Sequence, residues 1–291
     1  MTAKILDGRA IAAEVRGEVA ERVKSLADRG VTPGLAAVLV GDDDPSKIYV
    51  GGKQKASAEV GIHSERLDLS GAISQTELIE QIERLNQDPA VHGILVQLPL
   101  PSHIDVTAIH QAVDPTKDVD GLTPISVGRM VRGEPIFLPC TPLGIIELLV
   151  RSDVHIEHAD VVIVGRGALV GMPLAIMLAQ KAPRANATVT VCHTGTRDLL
   201  PHTRRAEILV VAAGRPGIVT ADMIMPGATV VDVGVNRLPD GKLVGDVDFE
   251  QVAKVAGAIT PVPGGVGPMT IAMLLVNSVT AAERSLQQQP S

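Results

Sequence analysis

The sequence predicts two α/β domains built on parallel sheets, and three observations carry that prediction. The chain has 291 residues, enough for two units at a prior of roughly 150 residues per domain. Hydrophobic residues make up 45% of it and aromatics only 1%, so the core must be aliphatic. Runs of Val, Ile, Leu and Ala suit buried parallel strands covered by helices. Helical and strand patterns then alternate along the chain, the order that produces parallel sheets.

Asp7 is placed to cap a helix running to about Arg29 and stopped by Gly30, and Leu35 to Val40 reads as the strand after it. Pro45 opens a second helix that Gly61 ends, and Ile62 to Leu67 reads as a strand. Ser74 with Glu77 forms a capping box for a helix to about Gln87, followed by a third strand from Gly93 to Val96. Between Pro99 and Pro142 the pattern weakens into turns rich in Pro, Gly and Asp, the approach to a domain boundary. A helix from Pro142 to about Arg151 leads into the second domain.

The formal charge of -7, with no long basic run, argues against nucleic acid as a partner, because phosphate backbones need clustered Lys and Arg. Cys140 and Cys192 match no disulfide or zinc spacing and read as buried small apolar residues. Asp7, Arg9, Glu14 and Arg16 interrupt the first twenty residues, and the longest apolar run, Ile271 to Val276, is too short to span a bilayer. The expectation is a cytoplasmic protein with no membrane partner, in which the sequon Asn186-Ala187-Thr188 has no meaning.

The second domain opens with the β-branched strand Asp160-Val-Val-Ile-Val164, the glycine turn Gly165-Arg-Gly-Ala-Leu-Val-Gly171 and a helical stretch from Met172 to Lys181. Strand, glycine turn and helix form the context of a dinucleotide site, where the backbone approaches a pyrophosphate at the positive end of the helix. The spacing GxGxxxG is one residue longer than the usual fingerprint. Further strands at Thr188 to Cys192, Ile208 to Ala212 and Thr229 to Val233 strengthen the reading. At the end of the second strand, where an NAD enzyme places an acidic residue on the ribose, the chain has Cys192-His193-Thr194-Gly195-Thr196. With no carboxylate there, and with Arg166 able to pair with a 2′-phosphate, NADP is favoured over NAD.

The first domain carries the chemistry. In Ser46-Lys-Ile-Tyr-Val-Gly-Gly-Lys53, Tyr49 and Lys53 are four apart and share a helix face. Tyr49 is the only tyrosine, and the segment follows the carboxyl end of a parallel strand, where α/β sheets bind ligands. Two more segments follow strand ends, Val96-Gln-Leu-Pro-Leu-Pro101 and Lys117-Asp-Val-Asp-Gly-Leu122. Asp118 and Asp120 have no third hard ligand nearby, which argues against a metal site. Late in the chain, Thr260-Pro-Val-Pro-Gly-Gly-Val-Gly-Pro-Met-Thr270 reads as a rigid, shaped loop before a final helix.

In these four segments, YVxxK, VQLPLP, KDVDGL and TPVPGGVGPMT, and over essentially its whole length, the chain resembles the bifunctional methylenetetrahydrofolate dehydrogenase/methenyltetrahydrofolate cyclohydrolase family. The resemblance implies an N-terminal three-layer α/β catalytic domain, residues 1–140 joined by a C-terminal helix over about 268–291. It also implies a Rossmann-like NADP-binding domain over 141–267 and an active site in the interdomain cleft. The implied work is NADP-dependent oxidation of 5,10-methylenetetrahydrofolate to the methenyl form and its hydrolysis to 10-formyltetrahydrofolate, with no metal. A homodimer and a place in one-carbon metabolism serving purine biosynthesis are implied as well.

By the family's pattern Lys53 is the residue most needed for hydrolysis, Gln97 hydrogen-bonds it, Tyr49 stacks on the aminobenzoyl group and Asp120 anchors the pterin. Ser46, Leu98, Pro99 and Pro263-Gly264-Gly265 line the folate pocket. Gly165, Arg166, Gly167, Thr194 and the backbone around Val235 hold the cofactor. Hydride transfer needs mainly orientation, whereas hydrolysis of a delocalised cation needs a group that is partly neutral near pH 7. A neutral amide such as Gln97 could hold Lys53 without restoring its charge.

Two features depart from the pattern. Many members read Gly-Arg-Ser in the cofactor loop where this chain has Gly167, so one hydroxyl near the phosphates is missing. Gly51 and Gly52, between Tyr49 and Lys53, each lower helix propensity by about 1 kcal/mol, so this turn is expected to flex more than usual. The alternatives are a non-catalytic binding protein and an amino-acid or shikimate-type dehydrogenase. Intact Tyr49, Lys53, Gln97 and Asp120 oppose the first, and VQLPLP with PGGVGPMT opposes the second.

Overall fold

The structure, a computed structural model, describes residues 2–288. β1 (Lys4–Ile5) and α1 (Gly8–Ala27) open the chain, followed by β2 (Gly34–Val40), α2 (Asp44–Glu59), β3 (His63–Leu69), α3 (Gln75–Gln87) and β4 (Gly93–Val96). Next come α4 (Val106–Ala112), α5 (Pro124–Val131), α6 (Cys140–Arg151), β5 (Asp160–Val164), α7 (Gly171–Ala179), β6 (Thr188–Cys192), α8 (Leu200–Thr203) and β7 (Ile208–Val211). β8 (Thr229–Asp232), β9 (Asn236–Arg237), β10 (Leu243–Val244), α9 (Phe249–Val252), β11 (Ala258–Ile259) and α10 (Val266–Gln288) complete it.

Two compact units result, Met1–Ala13 with Thr141–Thr270 and Glu14–Cys140 with Ile271–Ser291. The first thirteen residues, expected in the N-terminal domain, join the other unit because β1 pairs in parallel with β11, Lys4 opposite Ala258. A two-residue strand has no periodicity from which to read that partner.

The unit holding Glu14–Cys140 has a three-stranded parallel sheet in the order β3-β2-β4. Central β2 is buried along its whole length, whereas β3 on the edge alternates with charged residues, as a strand with one wet side should. Asp43 caps α2 and Ser74 closes a capping box on α3. Beyond β4, Ile94 donates to the carbonyl of Lys117 at 2.8 Å and bridges Asp118, so the segment after α4 lies along the sheet edge. Gly93 makes room, since any Cβ there would run into the Val119 side chain. The region from Pro99 to Pro142, read as turns and short elements, contains the two short helices α4 and α5.

The other unit has a six-stranded parallel sheet in the order β1-β11-β8-β7-β5-β6. The chain reverses direction of travel across the sheet between β6 and β7, with β5 next to both. This is the switch point at which doubly wound sheets place ligands. β5 and β7 are buried runs of Val, Ile and Leu.

Helix α10 starts at Val266, two residues before the expected helix at 268, with Gly267 and Pro268 in its first turn, where a proline costs no hydrogen bond. The expected last residues of that helix, 289–291, lie outside the described residues. Although its longest apolar run is short, α10 is by length and hydropathy long enough to cross a membrane. Met269, Ala272, Met273, Leu274, Leu275 and Val279 on it are buried in the protein. Arg22 on α1 ties to α10 through Glu283, at 3.0 and 2.7 Å, and through Thr280 at 2.8 Å.

Candidate active site

In the sheet of three strands, the turn after β2 delivers α2 to the carboxyl edge. Asp43 accepts hydrogen bonds from the Ser46 backbone N–H at 2.9 Å and from its hydroxyl at 2.6 Å. That cap starts the helix, and Tyr49 and Lys53 follow one turn apart on a common face. Lys53 is 7% exposed, its Nζ donating to Oε1 of Gln97 at 3.0 Å and lying 5.6 Å from the centre of the Tyr49 ring. The expected partnership of Lys53 with Gln97 is therefore present. Gln97 ends up in register because it directly follows β4, its N–H bonded to the carbonyl of Val38 on β2 at 2.9 Å. Its Nε2 donates to the Leu98 carbonyl at 2.7 Å, which leaves Oε1 turned to the lysine. The Leu98-Pro99 peptide is cis, and the Ser46 hydroxyl lies 3.5 Å from the same Leu98 carbonyl.

The two aspartates of KDVDGL separate into different jobs. Asp118 accepts from the N–H groups of Leu122 at 3.2 Å and Thr123 at 2.9 Å, and so holds the turn into α5. Asp120 stands next to Lys53. Burial pushes its carboxyl above the usual carboxylate range, the Lys53 charge pulls it back, and the Asp118 charge adds to the rise. Gly121, at φ +69°, sits against the backbone of Leu138 and Pro139 where no Cβ fits.

Two residues with no site role expected from the sequence complete this side. Cys140, read as a small apolar residue, donates its thiol to the Val119 carbonyl at 3.3 Å and is hydrogen-bonded with Asp120. Asn277 on α10 donates to the carbonyls of Val119 at 2.8 Å and Leu138 at 3.0 Å, pinning the Asp120 turn from below. In the sequence its signal is an amide placed directly after the apolar run Ile271 to Val276. Tyr49 remains 41% exposed, and Ile48 beside it is 69% exposed, so the aromatic ring is open to whatever binds while Lys53 is buried behind it.

In the sheet of six strands, Gly165 adopts φ +130° and packs on the Ala212 carbonyl, while Gly171 packs on the carbonyl of Gly165. Those two glycines let the ends of β5 and β7 and the start of α7 converge. Gly167 has open space where its Cβ would be, so nothing in the protein itself demands a glycine there. No side chain caps α7 at Val170, which leaves the positive end of the helix to a ligand. Arg166, Thr194 and Val235 are all exposed, on loops following β5, β6 and β8. After β6 the His193 N–H bonds the Thr196 hydroxyl at 2.8 Å, closing a turn with no carboxylate at its tip. This cradle fits a dinucleotide phosphate group and a 2′-phosphorylated ribose.

Pro263, Gly264 and Gly265 belong to this same unit, after β11, with Val262-Pro263 cis. Gly8 packs directly on the Gly265 carbonyl and Arg9 on Gly264, so the loop is buttressed by Asp7-Gly8-Arg9, which the sequence reading treated only as a helix start. Asp7 does cap α1, accepting from the N–H groups of Arg9 at 2.9 Å and Ala10 at 3.1 Å. Two buried carboxylates, Asp232 and Asp246, stand in valine-rich segments, Asp246 two residues before a second acid, Asp248, and neither sequence position marks burial.

Comparison with known proteins agrees with this layout. Residues 6–120 match the catalytic domain of the tetrahydrofolate dehydrogenase/cyclohydrolase family, and residues 139–286 match its NAD(P)-binding domain. The bifunctional protein FolD of Syntrophus aciditrophicus is 55% identical over 290 residues, covering 98% of this chain and 99% of that protein. Among solved structures, the Campylobacter jejuni FolD dehydrogenase/cyclohydrolase superposes with a TM-score of 0.94 at 48% identity, covering 97% of this chain and 99% of that one. The Trypanosoma brucei dehydrogenase-cyclohydrolase, solved with NADP cofactor and an inhibitor, gives 0.93 at 41% identity, covering 99% of each chain.

Proposed function

Since the chain belongs to the tetrahydrofolate dehydrogenase/cyclohydrolase family, we infer the work of each site residue from the two reactions that family membership brings. The protein is bifunctional: it oxidises 5,10-methylenetetrahydrofolate to 5,10-methenyltetrahydrofolate with NADP, and hydrolyses the product to 10-formyltetrahydrofolate. Matches at half identity over the full length do not favour the shikimate-type alternative.

NADP, when bound, supplies the hydride acceptor. Gly165 and Gly167 would give its pyrophosphate a close backbone approach, Arg166 and Thr194 would hold the phosphorylated ribose, and the backbone around Val235 would complete the site. For the folate, Tyr49 offers its ring to the aminobenzoyl group and Asp120, buried beside Lys53, takes the pterin. Ser46, Leu98 and Pro99, around the same strand end, would line the folate pocket. Gln97 holds the Lys53 Nζ by a neutral carbonyl at 3.0 Å, with Asp120 beside it, so the amine is oriented to act as water adds to the methenyl carbon. That single contact carries the assignment.

The test is Lys53→Met assayed on methenyltetrahydrofolate without cofactor. Hydrolysis is expected to fall at least a thousandfold with the protein still folded, and near-normal hydrolysis would reject the role. We further propose that the protein acts as a homodimer in the cytoplasm, within one-carbon supply to purine biosynthesis and without nucleic-acid or membrane partners. The net charge of -7 supports the absence of nucleic acid. Sedimentation equilibrium should return about twice the chain mass of 30.4 kDa.

A further inference from the structure

Two carboxylates lie buried beneath the loops at the carboxyl edge of the six-stranded sheet. Asp232, 3% exposed, ends β8, and Asp246, fully buried, follows β10. Asp246 accepts three consecutive peptide N–H groups from the loop after β7, those of Ala213 at 2.7 Å, Gly214 at 2.8 Å and Arg215 at 2.9 Å. Its Oδ1 also takes Nδ2 of Asn236 at 2.8 Å, just beyond the exposed Val235. Asp232 in turn accepts the N–H groups of Gly234 at 3.0 Å, Asp246 at 2.9 Å and Val247 at 3.0 Å. Its own N–H donates to the Thr260 hydroxyl at 2.7 Å, where the loop to Gly265 begins. Gly234 and Gly245 sit so close to the carboxylates of Asp246 and Asp232 that neither could carry a Cβ.

Burying two acids is costly, and their negative charge is met here by peptide dipoles. Only a group that is acceptor on every face can gather three successive N–H groups from a loop without regular structure. We propose that Asp246, seated on Asp232, is the positioning residue for the cofactor loops, setting the backbone after β7 directly and the Val235 segment through Asn236. This rests on the reading that NADP lies over these loops. An asparagine at 246 has nearly the same shape but one acceptor oxygen. Whichever way it turns, its NH2 faces two donors: the N–H groups of Ala213 and Gly214, or those of Arg215 and Asn236.

The experiment compares the full-length parent with Asp246→Asn for NADP binding by calorimetry, dehydrogenase kinetics with NADP varied, and hydrolysis of methenyltetrahydrofolate without cofactor. The expected result is an NADP Kd and KM at least tenfold higher, with folate KM and hydrolysis within twofold of the parent. An unchanged NADP Kd overturns the proposal, as does a parallel loss of both activities in a folded variant. If Asp246→Asn does not fold, Asn236→Ala removes one of the four donors: an NADP KM raised about threefold with hydrolysis intact supports the role, and an unchanged KM overturns it. A parent that fails to bind NADP would instead remove the reading beneath the proposal.

Discussion

Replacing Asp232 by Asn should change how stability depends on pH, in a direction set by the buried carboxyl. Burial raises this group from 3.8 to about 6, against the pull of the N–H groups of Asp246, Val247 and Gly234 and with the nearby Asp246 charge adding to the rise. Below 3.8 the carboxyl is protonated in both folded and unfolded chains and contributes nothing. Between 3.8 and about 6 the unfolded chain has lost the proton while the folded one keeps it, so stability falls as pH rises. Above that window the folded protein carries a constant cost of about 3 kcal/mol. Asparagine cannot ionise, and it adds only a pH-independent penalty for the hydrogen bond lost at Val247 or at Gly234 and Asp246. Urea unfolding of parent and variant at pH 4 and pH 7 reads the effect, because titrating groups that do not interact with Asp232 cancel in the difference. The variant should gain on the parent by about 2 kcal/mol over that interval. A difference that stays flat, or that moves the other way, would refute the linkage.

Other expectations are simpler. Asn277→Ala strips the donor from two buried carbonyls and should cost about 2 kcal/mol, or roughly 4 to 8 °C in Tm. It should also raise the folate KM by loosening the Asp120 turn, and a thermal scan matching the parent would dismiss its structural part. Gly51→Ala places a methyl in open space within α2 and should stabilise the protein by up to about 1 kcal/mol in thermal unfolding. If stability rises while hydrolysis slows, flexing of that helical turn belongs to turnover; a loss of stability would mean the glycine is needed for another reason.

Much of the architecture was legible because its signals are local. β5 and β6 begin and end where their β-branched runs do, and α3 announces itself through Ser74 and Glu77. The pairing of Lys53 with Gln97 is what the family resemblance implies, and each follows the carboxyl end of a strand in one sheet. What stayed hidden depends on contacts distant in sequence. Asn277 reaches a carbonyl 158 residues away, β1 is too short to show alternation, and Asp118 looks identical to Asp120 until the turn folds around it. The glycines of the cofactor loop were visible together, yet only Gly165 and Gly171 are sterically required. Asp232 and Asp246 were silent because an acid among valines resembles an exposed loop end until peptide N–H groups close over it.

The poverty of aromatic residues has a consequence at the bench. With one tyrosine and no tryptophan, the near-ultraviolet absorption and intrinsic emission of the chain arise essentially from Tyr49. That ring stands 5.6 Å from the Lys53 ammonium, where folate is expected to arrive. The protein is thus an optical probe of its own reaction centre: ligand stacking, motion of α2 or a change at Lys53 should register in one unlabelled chromophore.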